Sequence, residues 1–432
     1  MTTTGFDDSE RAPRRSEERS ERGVDARRTW LDLPADHPFG LDTLPYGVFS
    51  TDDPELRRVG VRIGDLVLDA GLAAEFVGQE SGICWAQPSL NHFLSLGPPA
   101  WRAARAWLTE VLSNPAHRDG IEPHLTPLAD VTLHLPIEVG DYVDFYASES
   151  HARNIGKIFR PGGDALSPNW KHLPIGYHGR SGTVVVSGTD IVRPMGQRKS
   201  PTDPSPVYGA SLKLDIEAEL GFVVGCSTEL GHPVAIDDAA GHIFGVALFN
   251  DWSARDIQAW ETVPLGPFLG KSFGSSLGAW VVPMEALAAA RLPLLPQDPE
   301  PLPYLRGSGT SLFGLDLHLE VRVNGTLVSS PGYAGMYWSP AQMLAHLTVN
   351  GASLRDGDLF ASGTISGPEK QTFGSLIELT WNGTQPLTLD DGSTRGFLQD
   401  GDTVTITGWA PGPDGAHIGL GEVVGTISPA LG

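Results

Sequence analysis

The stretch that decides the fold is Lys213-Leu-Asp-Ile-Glu-Ala-Glu-Leu-Gly-Phe-Val-Val224, in which acidic and apolar residues alternate. Successive side chains of a β-strand point to opposite faces, so this pattern predicts a strand with Asp215, Glu217 and Glu219 on one face. Carboxylates in a row repel one another, and such a face either fronts solvent or gathers a cation. Taken alone, the segment favours the solvated face, because runs of acids usually lie on the surface.

The composition extends this prediction to the rest of the chain. The 432 residues include 52 glycines and 35 prolines, and only 19% are charged. Glycine and proline together make about a fifth of the chain, against a usual share of ~12%, which favours turn-rich β structure over a helical bundle. β-branched or alternating residues predict further strands, at residues 184–187, 214–224, 317–323, 376–381 and 403–408.

Short motifs mark the ends of some of these elements. Asn324-Gly325 and Asn382-Gly383 each follow a predicted strand, and Asn-Gly is a strong hairpin signal. Ser339-Pro340 predicts the start of a short helix, because proline suits the first helical position.

The charge balance argues against several function classes. The net charge of −22 repels the phosphates of nucleic acids and anionic lipid surfaces. No run of ~18 apolar residues and no secretory signal is present. Two cysteines, Cys84 and Cys226, are too few for a disulfide framework. We therefore expect a cytoplasmic protein that binds neither nucleic acid nor membrane.

Three segments are predicted along the chain. Residues 1–28 mix acids with arginines, contain almost no apolar side chains and are predicted to be a disordered tail. Residues 29–135 are predicted to form a compact β domain closed by one amphipathic helix, in which apolar residues recur at helical spacing between Trp101 and Leu112. Residues 136–432 are predicted to form a larger, mostly β domain.

Two more acids stand in apolar surroundings. The run Ile243-Phe-Gly-Val-Ala-Leu-Phe-Asn-Asp251 predicts a buried strand that ends at an acid, and an acid there needs a partner. Asp144 lies between aromatic residues in Asp141-Tyr-Val-Asp-Phe-Tyr146. Oxygen ligands without a Cys/His cluster favour Mg²⁺ or Ca²⁺ over zinc. A metal site stays one of two hypotheses, because the sequence alone does not bring these acids together.

Candidate bases and cations follow on polar stretches. His151 could act as a general base, although most histidines are surface or structural residues. Arg160, Arg255 and Lys271 could face an anion or form surface ion pairs. The segment Gly270-Lys-Ser-Phe-Gly274 matches the Gly-x-Ser-x-Gly of serine hydrolases and the end of a phosphate-binding P-loop. Both are disfavoured, because alternating strands and helices are missing and position 265 is leucine.

Several longer runs resemble the fumarylacetoacetate hydrolase family, in order along the second half of the chain. The runs are Asp141–Tyr146 (DYVDFY), Pro168–Arg180 (PNWKHLPIGYHGR), Asn250–Glu261 (NDWSARDIQAWE), Val263–Gly274 (VPLGPFLGKSFG) and Ala361–Gly367 (ASGTISG). The resemblance implies a mainly β (α+β) fold. A small N-terminal SH3-like β-barrel domain would be followed by a larger mixed β-roll catalytic domain.

The resemblance also implies an activity, the hydrolysis of the carbon–carbon bond of 4-fumarylacetoacetate to fumarate and acetoacetate. This is the last step of tyrosine and phenylalanine catabolism, and the family's enzymes are homodimers. The substrate is a diketone with two carboxylates. Thr262 and Ser275 depart from the animal enzymes, which have a substrate-contacting tyrosine and a threonine there; the change at Thr262 puts the acyl specificity in doubt.

The resemblance further implies roles for individual residues. The residues implied to bind Ca²⁺ or Mg²⁺ are Asp144, Glu217, Glu219 and Asp251, with Lys271 and Ser275 at further metal-site positions. The implied catalytic residues are His151 as base, Glu378 to orient it, and Arg255, Gln258 and Lys271 for the developing oxyanion. The implied substrate contacts are Tyr146, Arg160, Tyr177, Gln258, Thr262 and Thr364.

Two other functions stay open at this point. One is an acylpyruvate hydrolase or decarboxylase of the same superfamily that acts on a related dicarbonyl. The other is a calcium-binding structural or interaction protein, in which the acids brace the fold.

Overall fold

The protein is described by a computed structural model over residues 28–34, 36–79, 82–200, 202–308 and 311–432. The predicted tail therefore lies outside the described residues, except for Arg28. Within these ranges no helix has the length and apolar character needed to cross a bilayer.

The first part of the chain forms a five-stranded antiparallel sheet with helices packed beside it. Its strands are β1 (Tyr46–Ser50), β2 (Arg58–Ile63), β3 (Leu66–Asp69), β4 (Leu125–Pro127) and β5 (Thr132–His134), in the spatial order β4-β3-β2-β1-β5. Its helices are α1 (Ala70–Phe76), α2 (Gly82–Trp85), α3 (Asn91–Ser95), α4 (Gly97–Ser113) and α5 (Arg118–Ile121).

Helix α4 is the predicted amphipathic helix, and it buries Ala104, Trp107, Leu108, Val111 and Leu112. The expectation of a single helix was wrong. The other four helices have four to seven residues each, and stretches this short carry too little periodicity to stand out in the sequence.

The second part is longer and mostly β. Its strands are β6 (Tyr142–Phe145), β7 (Gly176–His178), β8 (Val184–Val186), β9 (Ile191–Val192), β10 (Met195–Arg198), β11 (Val207–Ala210), β12 (Leu214–Asp215), β13 (Ala218–Val224), β14 (Ile243–Asp251), β15 (Ser253–Ala254), β16 (Ser275–Leu277), β17 (Val282–Pro283), β18 (Arg291–Leu292), β19 (Gly314–Leu315), β20 (His318–Val323), β21 (Thr326–Ser329), β22 (Leu359–Ala361), β23 (Leu387–Thr388), β24 (Thr394–Arg395), β25 (Thr403–Pro411) and β26 (His417–Ser428). Its helices are α6 (Glu149–Phe159), α7 (Arg255–Glu261), α8 (Pro340–Thr348) and α9 (Leu376–Leu379).

Two large sheets organise this part. An eight-stranded sheet has the order β7-β6-β22-β13-β14-β16-β8, with β17 also paired to β14. A five-stranded sheet has the order β21-β20-β25-β26-β9. Most pairs are antiparallel, while β22 with β6, β16 with β8 and β26 with β9 are parallel. The prediction of a mainly β fold, with a small first part and a larger mixed second part, is confirmed.

Several local predictions are confirmed as well. Asn324 and Gly325 join β20 to β21 with φ of 50° and 83°, as the hairpin signal requires. Ser339 caps α8 in a capping box with Gln342. The predicted strand 214–224 is present as β12 and β13, interrupted at Ile216 and Glu217.

The prediction for residues 376–381 was wrong. Leu376–Leu379 is a helix, and Asn382-Gly383 follows it in left-handed backbone rather than joining two strands. Asp215 explains the difference, because its carboxylate accepts the backbone N–H groups of Leu376 at 2.7 Å and Ile377 at 3.1 Å. An acid that accepts free N–H groups stabilises the start of a helix.

The two parts share one hydrophobic core. Tyr46 and Trp85 from the first part belong to the same buried cluster as Phe244, Phe249 and Leu359 from the large sheet of the second. The backbones also pair directly, since Tyr46 bridges Val281. One face of the eight-stranded sheet is therefore covered by the first part of the chain.

Candidate metal centre and active site

Neighbouring strands of the large sheet deliver four carboxylates to one place. Asp144 lies on β6, Glu219 on β13 and Asp251 at the end of β14, while Glu217 occupies the break between β12 and β13. One oxygen of each acid lies within 4.8 Å of the others, and all four residues are buried. The interpretation of this strand face as solvated was therefore wrong, because the face is covered and its acids meet residues distant in the sequence.

Asp215 shares the sequence pattern but not the site. Besides holding the start of α9, it accepts a hydrogen bond from the Arg255 Nε at 2.8 Å. Asp215 is thus a structural acid that connects the start of α7 to the start of α9.

Two cations lie against the acidic cluster. Lys271 donates to Asp251 at 2.6 Å and also to Glu217. Arg255, the first residue of α7, donates to Glu217 Oε1 at 2.7 Å and to Gln258 Oε1 at 3.2 Å. These contacts place the predicted residues Lys271, Arg255 and Gln258 in one network with the acids.

The cations divide the acids into two kinds. Burial by itself raises the pKa of Glu217, but the charges of Lys271 and then Arg255 hold it well below its usual range. Burial raises the pKa of Asp144 far above its usual range, and the charge of Asp251 adds to this. Burial and the charge of Asp144 do the same to the pKa of Glu219. Two of the four acids therefore lack enough positive charge from the protein.

Unpaired oxygens lead to the same conclusion. Asp144 Oδ1 and Glu219 Oε1 are buried and have no hydrogen-bond partner among the described residues. The other Glu219 oxygen accepts the backbone N–H of Gly363 at 3.1 Å. A buried carboxylate oxygen needs a donor or a cation, and an all-oxygen set suits a hard divalent ion. The residues present therefore fit a divalent metal ion.

Asp251 has the most complete surroundings among the four acids. The Tyr177 hydroxyl donates to Asp251 Oδ2 at 2.7 Å, and the Ser275 hydroxyl donates to Oδ1 at 2.9 Å. Ser275 lies on β16, which pairs with β14 directly opposite Asp251. The serine thus keeps a hydroxyl next to the cluster, where the animal enzymes carry a threonine.

A histidine and a carboxylate lie beside this cluster. His151 Nδ1 lies 2.7 Å from Glu378 Oε2, and its Nε2 lies 3.8 Å from Glu217 Oε1. The Ser148 hydroxyl caps α6 by accepting the backbone N–H of His151, which fixes the histidine in the first turn. Both His151 and Glu378 are buried. The His151 ring and the Glu378 carboxylate are thus held together by a hydrogen bond inside the protein.

Glu378 has more partners than the sequence reasoning identified. Asn154 donates to Oε1 at 2.9 Å, while Ser366 and Ser375 donate to Oε2 at 2.9 and 2.6 Å. Asn154 follows His151 by three residues on the same helix face, a spacing that would have predicted it. Ser375 precedes Glu378 by three residues, a spacing typical of local helix-start contacts. Ser366 lies in the family-like run Ala361–Gly367, but no spacing in the sequence connects it to Glu378.

The predicted substrate-contacting residues divide into two groups. The Tyr146 ring meets the His151 ring edge to face at 5.3 Å, and the buried Thr364 Oγ1 has no hydrogen-bond partner in the described ranges. Arg160 is exposed at the end of α6 and donates to the Ala165 carbonyl at 3.1 Å. Thr262 donates to the Gln258 carbonyl at 2.6 Å. The structure thus brings Tyr146 next to the candidate base, while Arg160 and Thr262 bond to local backbone.

Sequence comparison identifies the relatives of this chain. The family profile described as "Fumarylacetoacetate (FAA) hydrolase C-terminal" matches residues 142–428, and "Fumarylacetoacetase N-terminal" matches residues 42–136. The chain belongs to the fumarylacetoacetate hydrolase family. A human relative named fumarylacetoacetase is 48% identical over 416 residues, covering 93% of this chain and 99% of the relative. A relative of the same name from Arabidopsis thaliana is 45% identical over 418 residues, covering 93% and 99%.

Solved structures of the family share the fold. A fumarylacetoacetate hydrolase from psychrophilic Exiguobacterium antarcticum superposes with a TM-score of 0.53 at 18% identity, covering 89% of this chain and 99% of that one. A putative HpcE protein from Mycobacterium smegmatis gives a TM-score of 0.52 at 19% identity, covering 89% and 99%. At this level of identity the likeness concerns the fold alone.

Proposed function

We propose that this member of the family is a fumarylacetoacetase, which hydrolyses 4-fumarylacetoacetate to fumarate and acetoacetate. Its similarity to relatives of that name extends over nearly the whole length of both chains. The observation that carries the proposal is the meeting of four buried acids with the His151–Glu378 pair. Cleavage of a β-diketone by water needs a base, an oxyanion site and a stabilised enolate leaving group, and this arrangement supplies groups for each.

His151 is the proposed base. The charge on Glu378 favours a proton on Nδ1, which leaves Nε2 as the acceptor for a proton from water. As water loses this proton, the imidazolium forms 2.7 Å from a carboxylate that stabilises it. Glu378 thereby fixes the tautomer and the direction of the ring.

Asp144, Glu217, Glu219 and Asp251 are the proposed ligands of Ca²⁺ or Mg²⁺. Such an ion, when bound, anchors the diketone oxygens and offsets the negative charge of the enolate. Lys271 carries an ammonium group and cannot itself coordinate a cation, so its proposed role is to balance the charge of Glu217 and Asp251. Ser275 orients Asp251 through its hydroxyl.

The remaining roles concern the oxygens of the substrate. Arg255, Gln258 and Lys271 are proposed to hold the oxyanion that develops after water attacks. The substrate is a dianion, so this acidic protein must make its pocket locally positive with cations and the metal. The proposed substrate contacts are Tyr146, Arg160, Tyr177, Gln258, Thr262 and Thr364.

A second candidate, an acylpyruvate hydrolase or decarboxylase acting on a related dicarbonyl, depends on Thr262. Its short side chain donates its hydroxyl to the Gln258 carbonyl, at a position where the animal enzymes carry a tyrosine. A smaller group here leaves room for a different acyl chain, which is the observation that favours this candidate.

We further propose that the enzyme is a cytoplasmic homodimer. The loop after α7 supports self-association, because it exposes three apolar side chains: Val263 at 84%, Leu265 at 96% and Phe268 at 63%. Apolar side chains gathered on a surface are typical of protein contacts. Light scattering coupled to size exclusion measures the mass, and a mass of 46.1 kDa would contradict the dimer.

The activity is tested with purified protein and fumarylacetoacetate, following the loss of diketone absorbance. We expect turnover that stops with EDTA and returns with Mg²⁺ or Ca²⁺. An acylpyruvate and an acyl dicarbonyl of different chain length serve as competing substrates. Faster turnover of an acylpyruvate would favour the second candidate, and ion binding without turnover of any dicarbonyl would contradict both enzymatic proposals.

A further inference from the structure

A cavity of about 340 Å³ opens between the two parts of the chain. One wall is the face of α4 that carries Trp101, Arg102 and Arg105, three residues at helical spacing. The opposite wall includes Phe244, at the start of β14, and Arg291. The volume lies within the range of small-molecule sites, which is ~300–1,000 Å³.

This cavity is separate from the acidic cluster. Phe244 and Asp251 lie near opposite ends of β14, and seven residues of extended strand span about 24 Å. A ligand of the cavity would therefore not contact the proposed metal ligands.

The charges that line the cavity have the opposite sign to the protein as a whole. Arg102, Arg105 and Arg291 line it with a single acid, Glu285, in a chain of net charge −22. Within the described ranges none of these arginines forms a salt bridge with an acid. Guanidinium groups usually find carboxylate partners, so three arginines without one leave an uncompensated positive site.

The three arginines differ in the contacts that their guanidinium groups already make within the protein. Arg105 donates to the backbone carbonyls of Thr43, Leu41 and Asp42, which holds its charge in place. Arg291 lies over the Phe313 ring at 4.3 Å, and its side chain donates no hydrogen bond to the described residues. Arg102 is exposed and likewise makes no side-chain hydrogen bond there. At least two planar forks are thus free to bind an anion in a bidentate manner.

Three aromatic side chains line the cavity, those of Tyr46, Trp101 and Phe244. The Trp101 and Phe244 rings meet edge to face at 5.2 Å, and Tyr46 packs edge to face on Phe244 at 5.5 Å. Aromatic rings and free guanidinium groups that line one cavity match a molecule with a flat apolar body and a carboxylate at one end. We propose that this cavity is a binding site for a small aromatic carboxylate.

The test uses phenylacetate as the probe and phenylacetamide as its uncharged counterpart, titrated into the metal-loaded full-length protein by calorimetry. We expect saturable, one-to-one binding of phenylacetate with a dissociation constant below ~10 mM. Phenylacetamide should bind at least about tenfold more weakly, because it lacks the charge that pairs with the arginines.

Two variants test whether phenylacetate binds in this cavity. Arg102→Gln combined with Arg291→Gln should weaken phenylacetate binding at least about tenfold, since both residues lose their charge. Arg57→Gln is the matched control, because Arg57 is an exposed arginine that donates only to the Pro54 carbonyl. It should leave the dissociation constant unchanged, and thermal unfolding checks that each variant is folded.

Three outcomes would overturn the proposal. The first is no saturation with phenylacetate in this range. The second is equal binding of phenylacetamide. The third is binding that survives the double substitution but is lost in Lys271→Met, which would place the probe at the candidate active site.

Discussion

Glu378 and Glu219 are both buried, and the regions around them solve the problem of a buried charge in different ways. The oxygens of Glu378 accept from His151, Asn154, Ser366 and Ser375. Within the part of the chain that the structure describes, Glu219 accepts one backbone N–H, and its other oxygen has no partner. The histidine region is thus completed by the protein itself, whereas the acidic cluster has buried oxygens that fit a bound cation.

The electrostatics follow this division. Burial raises the pKa of Glu378, but His151 and the hydrogen bonds from its neighbours reverse this and bring it below its usual value. For Glu219, burial and the neighbouring carboxylates all raise the pKa. Glu378 is charged at neutral pH without a bound cation, so it can orient the base at all times. Glu219 becomes fully charged when a cation is present.

The largest effect is expected from His151→Ala. Removing the base should lower kcat by ~10³-fold with the fold retained, because general base catalysis contributes about 10²–10⁴-fold. Steady-state kinetics and circular dichroism measure the two quantities. Arg153→Ala, an exposed neighbour on the same helix, is the control. An active His151→Ala protein would show that another group activates water.

Glu378→Gln should act on the same region with a smaller effect. The amide keeps the shape but removes the charge that stabilises the imidazolium, so kcat should fall about a hundredfold with KM little changed. The NH₂ group of the introduced amide also faces hydrogen-bond donors where the carboxylate accepted hydrogen bonds. This should lower the free energy of unfolding by about 2 kcal/mol. Urea unfolding measures this change. Unaltered kcat would mean that Glu378 does not orient the base.

The pH dependence of stability should distinguish the two regions. In the metal-free protein, folding raises the pKa of Asp144 and Glu219. At pH values above the ordinary carboxyl pKa, the folded state therefore binds more protons than the unfolded state. Stability in EDTA should therefore increase as pH falls from about 8 to about 6, while bound metal removes this gain. The folded pKa of Glu217 lies below this window.

Thermal melts with and without metal across this range measure the effect. We expect the melting temperature in EDTA to rise by at least about 2 °C as pH falls. The double variant Asp144→Asn, Glu219→Gln is the control and should lose this slope. A slope unchanged in the double variant would assign it to other groups.

The smallest effects are expected from single hydroxyls. Ser366→Ala removes one of four donors to Glu378 and should lower stability by about 1 kcal/mol with or without metal. Ser275→Ala removes a donor to Asp251, and its effect should depend on metal, because a bound cation can satisfy that acid instead. If the loss of stability depended on metal equally in Ser366→Ala and Ser275→Ala, the histidine region and the acidic cluster would not differ in the way described.

The sequence predicted those parts of the site that depend on local patterns. Alternation along 213–224 placed Glu217 and Glu219 together, and the apolar run before Asp251 predicted a buried strand. The resemblance to the family supplied the rest of the residue set, including Glu378. What remained open was whether Asp144, Glu217, Glu219 and Asp251 meet, which depends on strand order and is not written in any single segment.

Long-range contacts explain the failures. Leu376–Leu379 is apolar apart from one acid, and such a short run does not distinguish a strand from a helix. Asp215, 161 residues earlier in the chain, favours the helix by accepting the free N–H groups at the start of α9. Ser366 likewise reaches Glu378 only through the fold.

The core shared by the two parts of the chain bears on how such a protein can evolve. Tyr46 and Phe93 pack against Phe244 on the large sheet that also carries the acids. A shorter ancestor without residues before Pro136 would have exposed this apolar surface to water. Gain or loss of the leading segment must therefore be accompanied by substitutions on this apolar surface of the sheet, which links the history of the two segments.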